Sequence, residues 1–266
     1  MSAWQRFLSI AVVVGLTATA AAAPLGERER ASAFARLPDW SGRWEVVGVT
    51  PNAAGGIIES FEEIERRFGA HPPYNAEGEA RVNALLKQFP DGPPGGDRAI
   101  CAWGVPMLML ESPLMFEALI TPEETALIFS GREIRHVYTD GRKHLPADQL
   151  FPTHWGDSIG RWEGRTLVID TVAVDSPVIF IWGGGGGGAL RALLSEQAHF
   201  IERLHMIGKD LLEDVMTIDD PASLASPWTL THQYRRVASP DRMIHEDCEG
   251  NERNPVVNGH FTLKLE

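Results

Sequence analysis

Cysteine is nearly absent from this chain of 266 residues, which holds two, Cys101 and Cys248, and no Cys-x-x-Cys pair. That excludes redox motifs and zinc sites built from cysteine clusters. Positive charge is also in short supply: 24 Lys and Arg face 36 Asp and Glu, for a net charge of −12. A chain with no basic excess has little to displace phosphate counterions, so nucleic acid is not an expected partner. Long apolar runs are missing beyond residue 23, and no later stretch approaches the roughly 20 residues that span a bilayer. Fixed-spacing catalytic signatures are missing as well. There is no Gly-x-Ser-x-Gly elbow, no His-Glu-x-x-His and no Cys/His metal spacing, so no motif calls for a metal or another cofactor. The run Gly183–Gly188 has neither the Lys-Ser/Thr of a phosphate loop nor a βαβ setting, and reads as an expanded, flexible loop.

Residues 1–23 have the order of a secretory signal peptide: Arg6, then an apolar run from Phe7 to Leu16, then small residues from Ala18 to Ala23. Cleavage near Ala22 is expected, which places the mature protein in the periplasm or outside the cell. Removing this leader takes away Arg6 and makes the charge one unit more negative than −12. In an oxidising compartment Cys101 and Cys248 are an even pair, and a disulfide between them is the expectation, with a reactive thiol as the rival. Such a bridge closes a loop of about 150 residues and stabilises by roughly 4–5 kcal/mol in the chain-entropy description.

The mature chain, 24–266, reads as a single mainly β domain. A polar leader, Gly26 to Arg36, precedes Asp39-Trp40-Ser41-Gly42-Arg43-Trp44 and a first strand over 45–49. Residues 50–100 are rich in Pro and Gly and look like an irregular insert. Within it Glu79, Ala80, Val82, Leu85, Leu86 and Phe89 repeat at helical spacing, which predicts a helix over 77–89 ended by Pro90. From Val105 onward short apolar stretches alternate with turn residues, such as Glu163-Gly164-Arg165 and Gly208-Lys209-Asp210. Roughly ten strands so joined predict an antiparallel meander that closes into a barrel and so hides its edges.

Two resemblances accompany this pattern. Gly42-Arg43-Trp44 resembles the Gly-x-Trp that opens lipocalin-type barrels, where the Trp plugs the closed end; this implies a lipocalin-like barrel. The block Trp155-Gly156-Asp157-Ser158-Ile159-Gly160-Arg161-Trp162-Glu163-Gly164-Arg165-Thr166-Leu167-Val168-Ile169-Asp170-Thr171, preceded by Tyr138-Thr139-Asp140-Gly141-Arg142, is similar to a largely uncharacterised family of exported bacterial proteins. Thr217-Ile218-Asp219-Asp220-Pro221, Pro227-Trp228-Thr229 and Cys248-x-Glu-x-Asn251 fit its later blocks. The chain departs from that family at Asp157, where members carry His, and in its poly-Gly run.

Strand alternation sorts the ionisable residues by face. Ile134, His136 and Tyr138 share one face, and Trp228, Leu230, His232, Tyr234 and Arg236 share another. With those faces inward, His136 and His232 lie inside the barrel, with Asp157 or Asp170 as orienting carboxylates and Tyr138 and Arg142 beside them. A His near a carboxylate in an apolar cavity is equipment for acid–base work near neutral pH. The loop between Tyr138 and Trp155 gathers Arg142, His144 and His154 at one mouth, where with Trp155, Trp228 and Tyr234 they can orient a ligand. The expectation is an exported barrel that binds or acts on a small, partly apolar molecule in its cavity. The enzyme form of that expectation is a cofactor-free lyase, isomerase or hydrolase. A structural envelope protein is the third possibility.

Overall fold

A computed structural model describes residues 26–47, 50–51, 57–58, 72–88, 104–105, 115–129, 134–175, 178–182, 188–237, 256–257 and 260–261. The signal segment, Cys101, Cys248 and Gly183 to Gly187 lie outside the described residues, and so does most of the 50–100 insert.

Among the described residues there are two helices. The first, α1 (Glu27–Phe34), falls in the stretch read from sequence as a polar leader; it buries none of its residues. Glu29 closes its first turn by accepting the Gly26 N–H at 3.2 Å, and acidic residues there suit the positive end of the helix dipole. The second, α2 (Ala76–Gln88), matches the helical periodicity read over 77–89.

The strands are β1 (Arg43–Val46), β2 (Thr50–Pro51), β3 (Ile57–Ile58), β4 (Phe116–Ile120), β5 (Glu124–Phe129), β6 (Ile134–Tyr138), β7 (Asp157–Glu163), β8 (Thr166–Val172), β9 (Val178–Trp182), β10 (Gly188–Leu193), β11 (His199–Gly208), β12 (Leu211–Asp219), β13 (Trp228–Val237), β14 (Val256–Val257) and β15 (His260–Phe261). Nine of them form one sheet that closes in a ring, in the order β1-β13-β12-β11-β8-β7-β6-β5-β4 and back to β1. The hairpins β2–β3, β9–β10 and β14–β15 are separate two-stranded sheets.

The ring is not the purely antiparallel meander expected. β6 and β7 run parallel and meet at a single pair, Tyr138 with Ile159, because residues 139–156 cross back along the wall instead of turning tightly. The other pairings are antiparallel, and the Gly164 and Lys209 turns join β7 to β8 and β11 to β12.

Alternation fills the interior. Trp44, Phe116, Leu127, Phe129, Leu167, Ile169, Phe200, Leu204, Leu212, Met216 and Tyr234 are each no more than 2% exposed. At one end Trp44 donates its indole N–H to the Trp40 carbonyl at 2.9 Å, and the Arg236 guanidinium lies 4.5 Å over its ring. Gly42 turns the chain into this position at φ +93°, against the Arg236 side chain, a backbone conformation that favours glycine.

Elsewhere α2 lies against the turn at 220–224. Asn75 donates to the Pro221 carbonyl at 2.9 Å, Arg81 bonds Ser223, and the Tyr74 hydroxyl accepts the Leu193 N–H at 3.0 Å. Asp220 holds the turn and the chain before β11 together, accepting the Ser195 N–H at 2.7 Å and its hydroxyl at 2.6 Å. Among the described residues no helix is long and apolar enough to cross a membrane.

Candidate functional site

Asp157, Ile159 and Arg161 point outward from β7, because Ser158, Gly160 and Trp162 face the interior. On β8, Leu167, Ile169 and Thr171 point inward and leave Asp170 outside. On β11, Phe200, Glu202 and Leu204 point inward and leave His199 outside. The register sets Asp170 opposite Ile159 on one side and Ile201 on the other. Asp157 and His199 are therefore its diagonal neighbours on the same outer face.

The crossover 139–156 lays His144 onto this face. Its Nδ1 is 2.9 Å from Asp157 Oδ2 and its Nε2 is 3.0 Å from Asp170 Oδ1. His199 Nε2 is 2.6 Å from the same Asp170 oxygen. Asp157 also accepts the Leu145 N–H at 3.0 Å, which anchors the crossover. Gly156, at φ +65°, sets up the approach to β7; a Cβ there would meet the Val172 carbonyl oxygen at 2.5 Å.

Electrostatics follow from this contact list. Burial alone would raise the Asp170 carboxyl. Hydrogen bonds from His199 and His144, with their charge, outweigh it and hold the carboxyl below its ordinary value. A neutral imidazole carries one N–H and an imidazolium two, so only the charged His144 ring donates to both carboxylates at once. All four side chains remain partly open to solvent, from 17% for Asp157 to 40% for His199.

The structure thus brings together three residues singled out from sequence, His144, Asp157 and Asp170, and adds His199, which sequence reading missed. It does so on the outside of the ring rather than in a cavity. His136 is a correction. Expected inside, it stands half exposed on the outer face, paired with Glu124, because Arg135 and Val137 take the inward positions of β6. Tyr138 is on the same outer face. Its ring centroid lies 6.3 Å from that of His136 and 3.9 Å from the Arg142 guanidinium. Arg142 is itself clasped by both oxygens of Asp140 at 2.6–3.1 Å. His154 contributes its carbonyl oxygen to the Val105 N–H at 3.0 Å and is not brought into the cluster. Trp155 stacks on Phe129 with centroids 5.4 Å apart. Trp228, His232 and Tyr234 point inward and are buried.

A second polar group, also missed, lies inside the wall. Arg135 Nη1 donates to Glu202 Oε1 at 2.9 Å, and Nη2 donates to Glu202 Oε2 at 2.5 Å and to Thr171 Oγ1 at 3.0 Å. Thr171 Oγ1 is 2.8 Å from Ser158 Oγ. Burial works against the Arg135 charge, but Glu202 more than offsets it and holds the guanidinium protonated. Asp214, fully enclosed beside Glu202 and cross-strand from His232, has its carboxyl pushed well above the usual range by burial and by Glu202.

Among the described residues no group of three or more His, Cys, Asp or Glu side chains is arranged to hold a metal ion. No protein-family model matches the chain, and no curated protein matches it.

Proposed function

We propose that this chain is an exported, lipocalin-like barrel protein that performs cofactor-free acid–base chemistry on a small, partly apolar molecule at its outer-face cluster. The observation that carries the reading is the sharing of one oxygen, Asp170 Oδ1, by the Nε2 atoms of His144 and His199. Asp170 orients the His199 ring through Nε2, and the opposite nitrogen, Nδ1, makes no hydrogen bond to a described residue. That is the arrangement of a carboxylate-oriented general base or acid, with Nδ1 as the atom that takes or returns the substrate proton. His144, clamped between Asp157 and Asp170, holds the crossover in place beside the orienting carboxylate.

The packed interior favours this outer location over a cavity site. The lipocalin-like reading is supported by Trp44, buried under Arg236 just after the Gly42 turn. Charge narrows the substrate. The guanidiniums of Arg142 and Arg161 are engaged by Asp140 and Glu163, while two carboxylates border the cluster, so a neutral or cationic molecule suits it better than an anion. Leu145 and Phe151 on the crossover, 48% and 71% exposed, offer apolar contact.

The test incubates small-molecule extracts of the source cells with the purified protein and with the His199→Gln variant, and follows both by mass spectrometry. The expected result is a compound that changes with the wild type only. A compound that co-purifies in native mass spectra but is never converted would replace catalysis with carriage. Neither conversion nor retention would leave the structural-envelope reading.

A further inference from the structure

The inner and outer polar groups stand back to back. Ser158 follows Asp157 on β7, and Thr171 follows Asp170 on β8; in each pair one side chain faces in and the other out. Glu202 lies on β11, the strand that carries His199. Arg135 on β6 reaches Glu202 and Thr171 directly, and Ser158 through Thr171. One guanidinium therefore ties together, from behind, the three strands that present Asp157, Asp170 and His199. Its own strand meets β7 at a single residue pair, so the backbone ladder alone holds β6 weakly against that part of the wall.

We propose that Arg135 is a positioning residue for the outer-face site: its fork on Glu202 and Thr171 fixes the spacing of β7, β8 and β11 at which His144 and His199 share Asp170. The inference rests on the outer cluster being the functional site. It explains why a charged pair is kept at 0% exposure, where apolar residues of similar volume commonly stabilise as well or better. A planar, two-pronged donor is also what this role requires, since a lysine ammonium lacks the fork.

The test separates stability from positioning. In the double variant Arg135→Met with Glu202→Leu neither member of the pair is left charged without the other. Made in an Asp214→Asn background, which removes the remaining buried carboxyl beside them, it is expected to keep a urea midpoint near that of the Asp214→Asn protein. The readout is the imidazole ¹H–¹⁵N spectrum at fixed pH. In the wild type the Nε2–H protons of His144 and His199, bonded to Asp170, are expected as exchange-protected downfield signals, and in the double variant they are lost. Arg135→Lys, which keeps the charge but not the fork, is expected to speed their exchange at least tenfold, and it serves if the double variant does not fold. Leu212→Ala, a core truncation elsewhere in the ring, is expected to lower the urea midpoint and leave the signals in place. Persistence of the signals in the double variant and in Arg135→Lys would overturn the proposal, as would their absence from the wild type. No substrate enters these measurements, so a failure of the activity test and a failure of positioning give different results.

Discussion

Arg135 and His136 are neighbours in the chain and stand on opposite sides of the wall. The first is fully buried on Glu202 and Thr171; the second is half exposed beside Glu124. Truncating each should therefore have very different costs. Arg135→Ala strands Glu202 as a buried unpaired charge and is expected to destabilise by about 3–5 kcal/mol. His136→Ala removes a solvent-screened contact and is expected to stay within about 0.5 kcal/mol. Urea denaturation of the two variants at pH 7 checks the contrast, and equal losses would place Arg135 wrongly.

The chemistry assigned to the outer cluster depends on His199 and on the carboxylate that orients it. His199→Gln and Asp170→Asn are each expected to lower turnover of the identified compound by about 10²–10⁴-fold, with circular dichroism unchanged. Because both residues are partly exposed, neither change should unfold the ring. Combining them is expected to cost little more than either alone, since the two act as one unit.

Asp214 and Asp170 should move stability with pH in opposite directions. The Asp214 carboxyl is raised in the folded protein by burial and by Glu202. Its contribution is full below about pH 4, the ordinary carboxylate value, and is lost as pH rises toward its folded value. Asp214→Asn is therefore expected to be more stable than the wild type at pH 8 and to lose that advantage near pH 4. The Asp170 carboxyl is lowered, through the His199 and His144 hydrogen bonds. Its contribution is present above about pH 4 and is lost as pH falls through its folded value. Asp170→Asn should therefore flatten the acid side of the profile. Chemical denaturation of wild type and both variants at pH 3 to 8 reads both slopes.

The seat of α2 leaves no room for a methyl group at Gly78, where a Cβ would lie 2.2 Å from the Ser223 carbonyl oxygen. Gly78→Ala favours the helix intrinsically by up to about 1 kcal/mol. The clash is expected to win and to cost about 1–3 kcal/mol overall. Hydrogen exchange should show the 220–224 turn loosening. A net stabilisation would mean that the helix can shift off the turn without penalty.

Much of the wall could be read from residue order. Turn chemistry at Gly164 and Lys209, flanked by alternating strands, marks the β7–β8 and β11–β12 hairpins within a residue or two. What misleads is β6. Ile134, His136 and Tyr138 look like an inward set, yet Ile134 is 43% exposed and a charged residue takes the interior. Nothing local marks Arg135 as buried, because its partner Glu202 lies 67 residues away. His199 was missed for a similar reason: its meaning comes from Asp170 across the sheet, not from its own flanks. Helix α1, charged and fully on the surface, has no apolar stripe to announce it. A legible clue does exist for Glu202. It interrupts the inward series Phe200, Glu202, Leu204 of a strand that is otherwise regular, and an ion at a core position implies a counter-ion opposite.

The single parallel contact between β6 and β7 gives the ring a seam. Most neighbouring strands are zipped along several residue pairs, whereas here Tyr138 and Ile159 alone join the two edges. Thermal breathing should part the wall at this line first, and a circular permutant opened in residues 139–156 would place its new ends there. The side chain that spans this line is Arg135, which reaches from β6 to Thr171 on β8 and Glu202 on β11, so the seam is stitched from the inside.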